Sequence, residues 1–215
     1  MSVNKAKTES GFSIVELIVT MFIMLAIMGL VMTLYARSLS TKTRESARTD
    51  ALTAAQAALN VMSREVANSG YGVITNGLMN DSNRDLVHFV SNHVNTNSDL
   101  LQPGENVTYF FEPGAQSILR HDANGIVNPD GTTSPQTSII INRISSVQFR
   151  YFDYTGASPL PNPIGGSDTP TANTGRVRIT LTVNMENLIN QVQNDRVRLT
   201  SEVALRNSRY MLRNY

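Results

Sequence analysis

The sequence predicts an α+β protein: one long N-terminal α-helix, its apolar half protruding, packed through its second half on an antiparallel β-sheet domain. Three observations carry this. No charged residue occurs from Leu17 to Tyr35. Beyond that run, Ala47, Ala51, Ala55, Ala58, Leu59, Met62 and Val66 recur at three- and four-residue spacing, the period of a helix with one apolar face. Further on, RVRITLTVN and RVRLTSEVALR alternate between polar and apolar residues, the period of a strand with one face on a core.

The apolar run is broken only by Thr20, Gly29 and Thr33. Some 20 helical residues cross a hydrocarbon layer of roughly 30 Å, so the run is long enough to span one. The helical pattern then continues without proline until NSGYG at Asn68–Gly72, a glycine stop. A single helix from Phe12 to about Asn68 measures roughly 85 Å at 1.5 Å per residue. Met21, Met24, Met28 and Met32 line one face of it, either as an adaptable contact surface or as ordinary apolar content facing lipid.

Candidate strands follow at Leu86–Val90, Val107–Glu112, Ser117–His121, Ser138–Ile144, Val147–Tyr154, Arg176–Asn184 and Arg196–Arg206. In the last two, Val177, Ile179, Leu181 and Val183, then Val197, Leu199, Val203 and Leu205, face the core. EPGA at Glu112–Ala115 marks a tight turn. Thr155–Gly175 holds four prolines and no apolar periodicity, and reads as a mobile connection.

Composition excludes several chemistries. The 215 residues contain no cysteine, which removes disulfides, thiol nucleophiles and thiolate metal sites. Net charge is +1, from 18 basic and 17 acidic residues, so there is no global field for nucleic acid. Arg143, Arg150, Arg176, Arg178, Arg196, Arg198, Arg206, Arg209 and Arg213 fall mostly at outward strand positions, a solvated face rather than a DNA groove. No nucleotide-binding or hydrolase fingerprint appears, and no catalytic residue is assigned; the chain reads as a non-enzyme. His88, His93 and His121 lack a metal-binding spacing. DSNRD at Asp81–Asp85 opens like a calcium loop, but Leu86 stands where glycine is needed. Asp122, Asn124, Asn128 and Asp130 form a weak calcium candidate against the stronger reading of an Asx-rich turn. No other cofactor is expected.

Glu16 is the puzzle, because a carboxylate entering a bilayer costs a few kcal/mol without a partner. A cleaved signal peptide is opposed by the length of the run and by the absence of a small-x-small site after it. A plain anchor explains the length but not Glu16. Positive-inside bias leaves orientation open: Lys5 and Lys7 precede the run, and Arg37, Lys42, Arg44 and Arg48 follow.

Gly11-Phe12-Ser13-Ile14-Val15-Glu16, between a short leader and an apolar helix, resembles the type IV prepilin signal. The resemblance implies that a membrane prepilin peptidase cuts between Gly11 and Phe12 on the cytoplasmic face and methylates Phe12. It implies a protein held by one span in the inner membrane, its leader cytoplasmic and its globular domain periplasmic, that later enters a pilus or pseudopilus at the cell surface. Glu16 then forms the assembly salt bridge, pairing with the N-terminal ammonium of a neighbouring subunit. The domains are residues 1–11, leader; 12–36, membrane or filament-core half; 37–72, amphipathic half; and 73–215, β-rich domain.

MSREVANSGYG, YFFEPGAQSILRHDANG, ISSVQFRYFDYTG and EVALRN are similar to minor pilins of the PilW kind and to the J-type minor pseudopilin of type II secretion. Some members of the wider pilin family bind calcium. The implied role is a minor pilin in pilus assembly or initiation. The alternatives are a minor pseudopilin of a secretion pseudopilus and, in another class, a bitopic membrane protein with a periplasmic sensor or enzyme domain. The implied partners are the prepilin peptidase/methyltransferase, other major and minor pilins, and the inner membrane with its assembly platform.

Overall fold

A computed structural model describes residues 11–93, 100–154, 161–185 and 196–208, with backbone alone at 154 and 161–165. The chain divides into two units, Met1–Ser46 and Ala47–Tyr215. One helix, α1 (Ile14–Ala67), begins in the first and ends in the second. Within the first unit the apolar side chains from Phe12 to Leu39 are exposed all round the helix. This helix is long and apolar enough to cross a membrane, with a mean hydropathy of 2.7 over its most apolar stretch.

In the second unit α1 is a one-faced helix. Ala55, Ala58, Leu59, Met62, Val66 and Ala67 are buried, and Ala47, Ala51 and Leu52 pack against the same core. At 100° per residue, Ser63 and Glu65 flank this stripe on its two sides. They reach different sheets: Ser63 Oγ donates to Ser201 Oγ at 3.0 Å, and Glu65 Oε2 accepts from Tyr109 at 2.9 Å and from Arg120 at 3.0 Å.

The strands are β1 (Leu86–Val90), β2 (Asn106–Glu112), β3 (Ser117–Val127), β4 (Thr133–Ile141), β5 (Ile144–Tyr154), β6 (Pro161–Ser167), β7 (Thr174–Asn184) and β8 (Arg196–Ala204). They form two four-stranded antiparallel sheets, β1-β2-β3-β4 and β6-β5-β7-β8. The expectation of one sheet is thereby refined. The break falls at Asn142–Arg143, where Arg143 takes a left-handed φ of 62°. That corner sends β5 away from β4, and Ile144 N–H then bonds Gln116 O and Asn184 N–H bonds Arg143 O. Val177, Ile179, Leu181 and Val183 are buried as the alternation predicts, and Val197 and Leu199 pack on the core beside buried Val203 and Leu205. The EPGA turn closes β2 onto β3, with Gln116 N–H bonded to Pro113 O.

Two loop expectations need correction. The proline-rich connection contains a strand, β6, at the sheet edge, and Asp168 just after it pairs with Arg150 at 2.6 Å. Proline lacks an N–H, and an edge strand has to donate on one side only. The Asx-rich stretch is likewise mostly strand: β3 runs on through Asp122 and Asn124 by a bulge between Asp122 and Ile126. The turn itself is confined to Asn128–Thr132.

The exit from α1 depends on two glycines. Gly70 (φ 81°) and Gly77 (φ 75°) bring their backbones against each other, and Gly70 N–H reaches Val90 O while Val90 N–H reaches Gly77 O. A Cβ on Gly77 would strike the Gly70 backbone. Gly77→Ala should therefore lower stability by about 2 kcal/mol or more, from left-handed strain plus the clash. Chemical denaturation checks this; an unchanged midpoint would mean that the two backbones can part at no cost.

Candidate functional site

The prepilin-like residues lie at the start of α1. Gly11 and Phe12 are outside the helix, and Phe12 is 81% exposed. The first helical bond runs from Leu17 N–H to Ser13 O at 3.1 Å, so Glu16 sits exposed in the first turn, where the helix dipole favours a carboxylate. Among the described residues, a Cβ on Gly11 would meet nothing within 4 Å, so packing against them gives no reason for glycine at this position. The peptide bond between Gly11 and Phe12 is non-helical and adjoins an apolar helix. The methionines of the stripe are all exposed.

The calcium candidates are occupied by protein partners. Buried Asp122 accepts from Gly104 N–H at 2.7 Å and from Arg120 at 3.2 Å. Asn124 donates to Leu100 O and accepts from Thr133, and Asn128 donates to Thr132 and Ser134. Asp130 accepts from the Thr132 hydroxyl and N–H, which hold its carboxyl below the usual range. No cluster of three or more His, Asp or Glu side chains suited to a metal occurs among the described residues. His88 lies between Asp81 and Asn106, His121 contacts Thr137, and His93 is exposed.

Three of the arginines are engaged on the strands. Arg150 meets Asp168, Arg176 and Arg178 share Glu202, and the latter two lie 4.4 and 4.9 Å over the Phe152 ring. Arg209 and Arg213 fall outside the described residues, as does leader residue Lys5.

Sequence reasoning missed a polar network at the end of α1. Glu65 Oε2 accepts from Tyr109 and from Arg120 Nε at 3.0 Å, and Arg120 also holds Asp122. Its pairs are 44 and 55 residues apart in sequence. The one available signal was a glutamate bordering the Met62–Val66 stripe. Burial alone would lower the basicity of Arg120, but the bond to Glu65 and its charge more than offset this, so the guanidinium is held above its ordinary value. Burial, reinforced by Glu65, pushes the Tyr109 phenol far above its ordinary value. Tyr151, whose hydroxyl donates to Asn83 O and Leu86 O, is raised as well, chiefly by burial.

No protein-family model and no curated protein matches this chain.

The two raised phenols set an alkaline limit on the fold. Below about pH 10 both are neutral whether the chain is folded or not, and they add no pH dependence. Above it the unfolded chain releases these protons and the folded chain keeps them, so stability falls as pH rises, by about 1.4 kcal/mol per unit for each phenol. In an alkaline titration of phenolate absorbance, the signals of Tyr109 and Tyr151 should appear only as the fold is lost. Tyr151→Phe should remove amplitude from that late phase. Loss of amplitude from the early, structure-preserving phase would place the phenol in water.

Proposed function

We propose that this chain is a structural minor pilin of the type IV class, processed at Gly11–Phe12 and taking part in pilus assembly or initiation. The observation that carries this is the glycine at position 11. Packing among the described residues does not require it, yet it stands immediately before Phe12, five residues before Glu16, and ahead of a helix whose apolar side chains are exposed.

In this reading the peptidase hydrolyses the bond between Gly11 and Phe12 at the cytoplasmic face. The cut removes the basic leader and creates an α-ammonium on Phe12, which the same enzyme then methylates. The apolar half of α1 holds the protein in the inner membrane, with the β-rich domain on the periplasmic side. On assembly that half leaves lipid for the apolar helices of other pilins, at little net change in apolar cover. Glu16 supplies the direction. A carboxylate in such surroundings needs a counter-charge, and the neighbouring subunit's Phe12 ammonium is one, so pairing sets the axial stagger.

Mass spectrometry of membrane-extracted protein from cells that possess the peptidase should show a chain beginning at Phe12 with one methyl group. A chain still beginning at Met1 would sink the assignment. Glu16→Gln keeps shape while removing charge. It should be cleaved but lost from sheared filament fractions, since it leaves an ammonium unpaired at a cost of roughly 3–5 kcal/mol. A dipole effect alone is worth about 0.3–1 kcal/mol and would leave recovery nearly unchanged. Equal recovery of variant and wild type would show that the charge does not guide assembly.

A further inference from the structure

A cavity of about 470 Å³ opens between the end of α1, the turn after it and the β1–β4 sheet. Its walls include Glu65, Tyr71, Phe89, Ser91, His93 and Arg120, with Gly104 beside the last two. We propose that this cavity binds a neutral saccharide, with a sugar ring against Tyr71 and hydroxyls bonded across Glu65 and Arg120.

The volume lies in the range of small-molecule sites. The charges then select the ligand class. Arg120 is already flanked by Glu65 and Asp122, at 3.0 and 3.2 Å, so an incoming anion would find its attraction to the guanidinium countered by two carboxylates. A cation approaching Glu65 would meet Arg120 beside it. What the pair offers is hydrogen bonding to an uncharged group.

Among the described residues, both bonds of the Glu65 carboxylate fall on Oε2, and Arg120 spends Nε on Glu65 and Nη1 on Asp122. Glu65 Oε1 and Arg120 Nη2 stand outside those bonds, and Nη2 lies next to Gly104 at the cavity wall. An acceptor and a donor on paired residues match two adjacent hydroxyls, each of which can both donate and accept.

Phe89, buried and stacked on Tyr109, backs the wall, and Tyr71, half exposed at the rim, supplies the apolar surface within reach. The Tyr71 backbone is pinned on both sides: its N–H bonds Asn68 O, and its carbonyl accepts from Asn92 N–H at 2.7 Å. A ring on a fixed backbone and a charge network locked by Tyr109 are largely organised before any ligand arrives, which lowers the ordering cost of binding. Such a site needs neither cleavage nor assembly, so it stands or falls separately from the processing of Phe12.

The test is saturation-transfer NMR on the full chain in a sugar-free zwitterionic detergent. The probes are cellobiose, lactose and N,N′-diacetylchitobiose, with sialic acid and spermidine as the charged comparisons. At least one neutral disaccharide should receive saturable transfer. Tyr71→Ala should weaken that binding about tenfold or more with an unchanged melting curve, since the side chain is largely outside the core. Glu65→Gln, which keeps the shape but weakens the acceptor, should weaken binding as well. Three results would overturn the proposal: no transfer to any neutral disaccharide, transfer undiminished by Tyr71→Ala, or saturable binding only of sialic acid or spermidine.

Discussion

One continuous helix has to satisfy two solvents. From Ile14 to Tyr35 nearly every side chain of α1 is apolar and exposed, on all sides. Covering a single Leu, Ile or Phe is worth about 1.5–3 kcal/mol, so the whole segment asks for tens of kcal/mol of cover from outside the chain. From Ala47 on, the same helix carries one apolar stripe and buries it. The second unit is arranged to meet the second demand.

The second demand is met by apolar contact and sharpened by polar contact. Ala55, Ala58, Leu59, Met62 and Val66 form the buried face of the helix and pack into one core with side chains of both sheets. Such a seam fixes burial but tolerates small rotations. The bonds from Ser63 to Ser201 and from Glu65 to Tyr109 and Arg120 sit on opposite flanks and oppose rotation in either sense. Removing one partner of the Glu65–Arg120 pair would leave the other as a partly buried charge without its counter-charge.

Where structure follows from local periodicity, the sequence alone was enough. The apolar run, the α1 stripe and the alternation of β7 and β8 each repeat within one element, and each was legible. The division into two sheets was not, because it turns on Arg143 adopting a left-handed φ that its residue type does not announce. Nor was β6, since proline usually speaks against a strand and only its edge position makes it acceptable. The same contrast holds for the sites. Gly11, Phe12 and Glu16 stand within six residues, so the proposal built on them needs only local sequence. The group around Glu65 and Arg120 is assembled from α1, β2 and β3, and nothing short of the folded arrangement brings it together.

The account rests on the change of solvent along α1, and the absence of cysteine makes it directly measurable, because each introduced thiol is the sole one in the chain. Ile27→Cys and Asn60→Cys both place a thiol on an exposed face of the helix. In native membranes made open to the reagent on both faces, a membrane-impermeant maleimide should modify Asn60→Cys rapidly and leave Ile27→Cys untouched until detergent is added. Equal labelling of the two thiols before detergent would contradict the account, because it would put the apolar half of α1 in water.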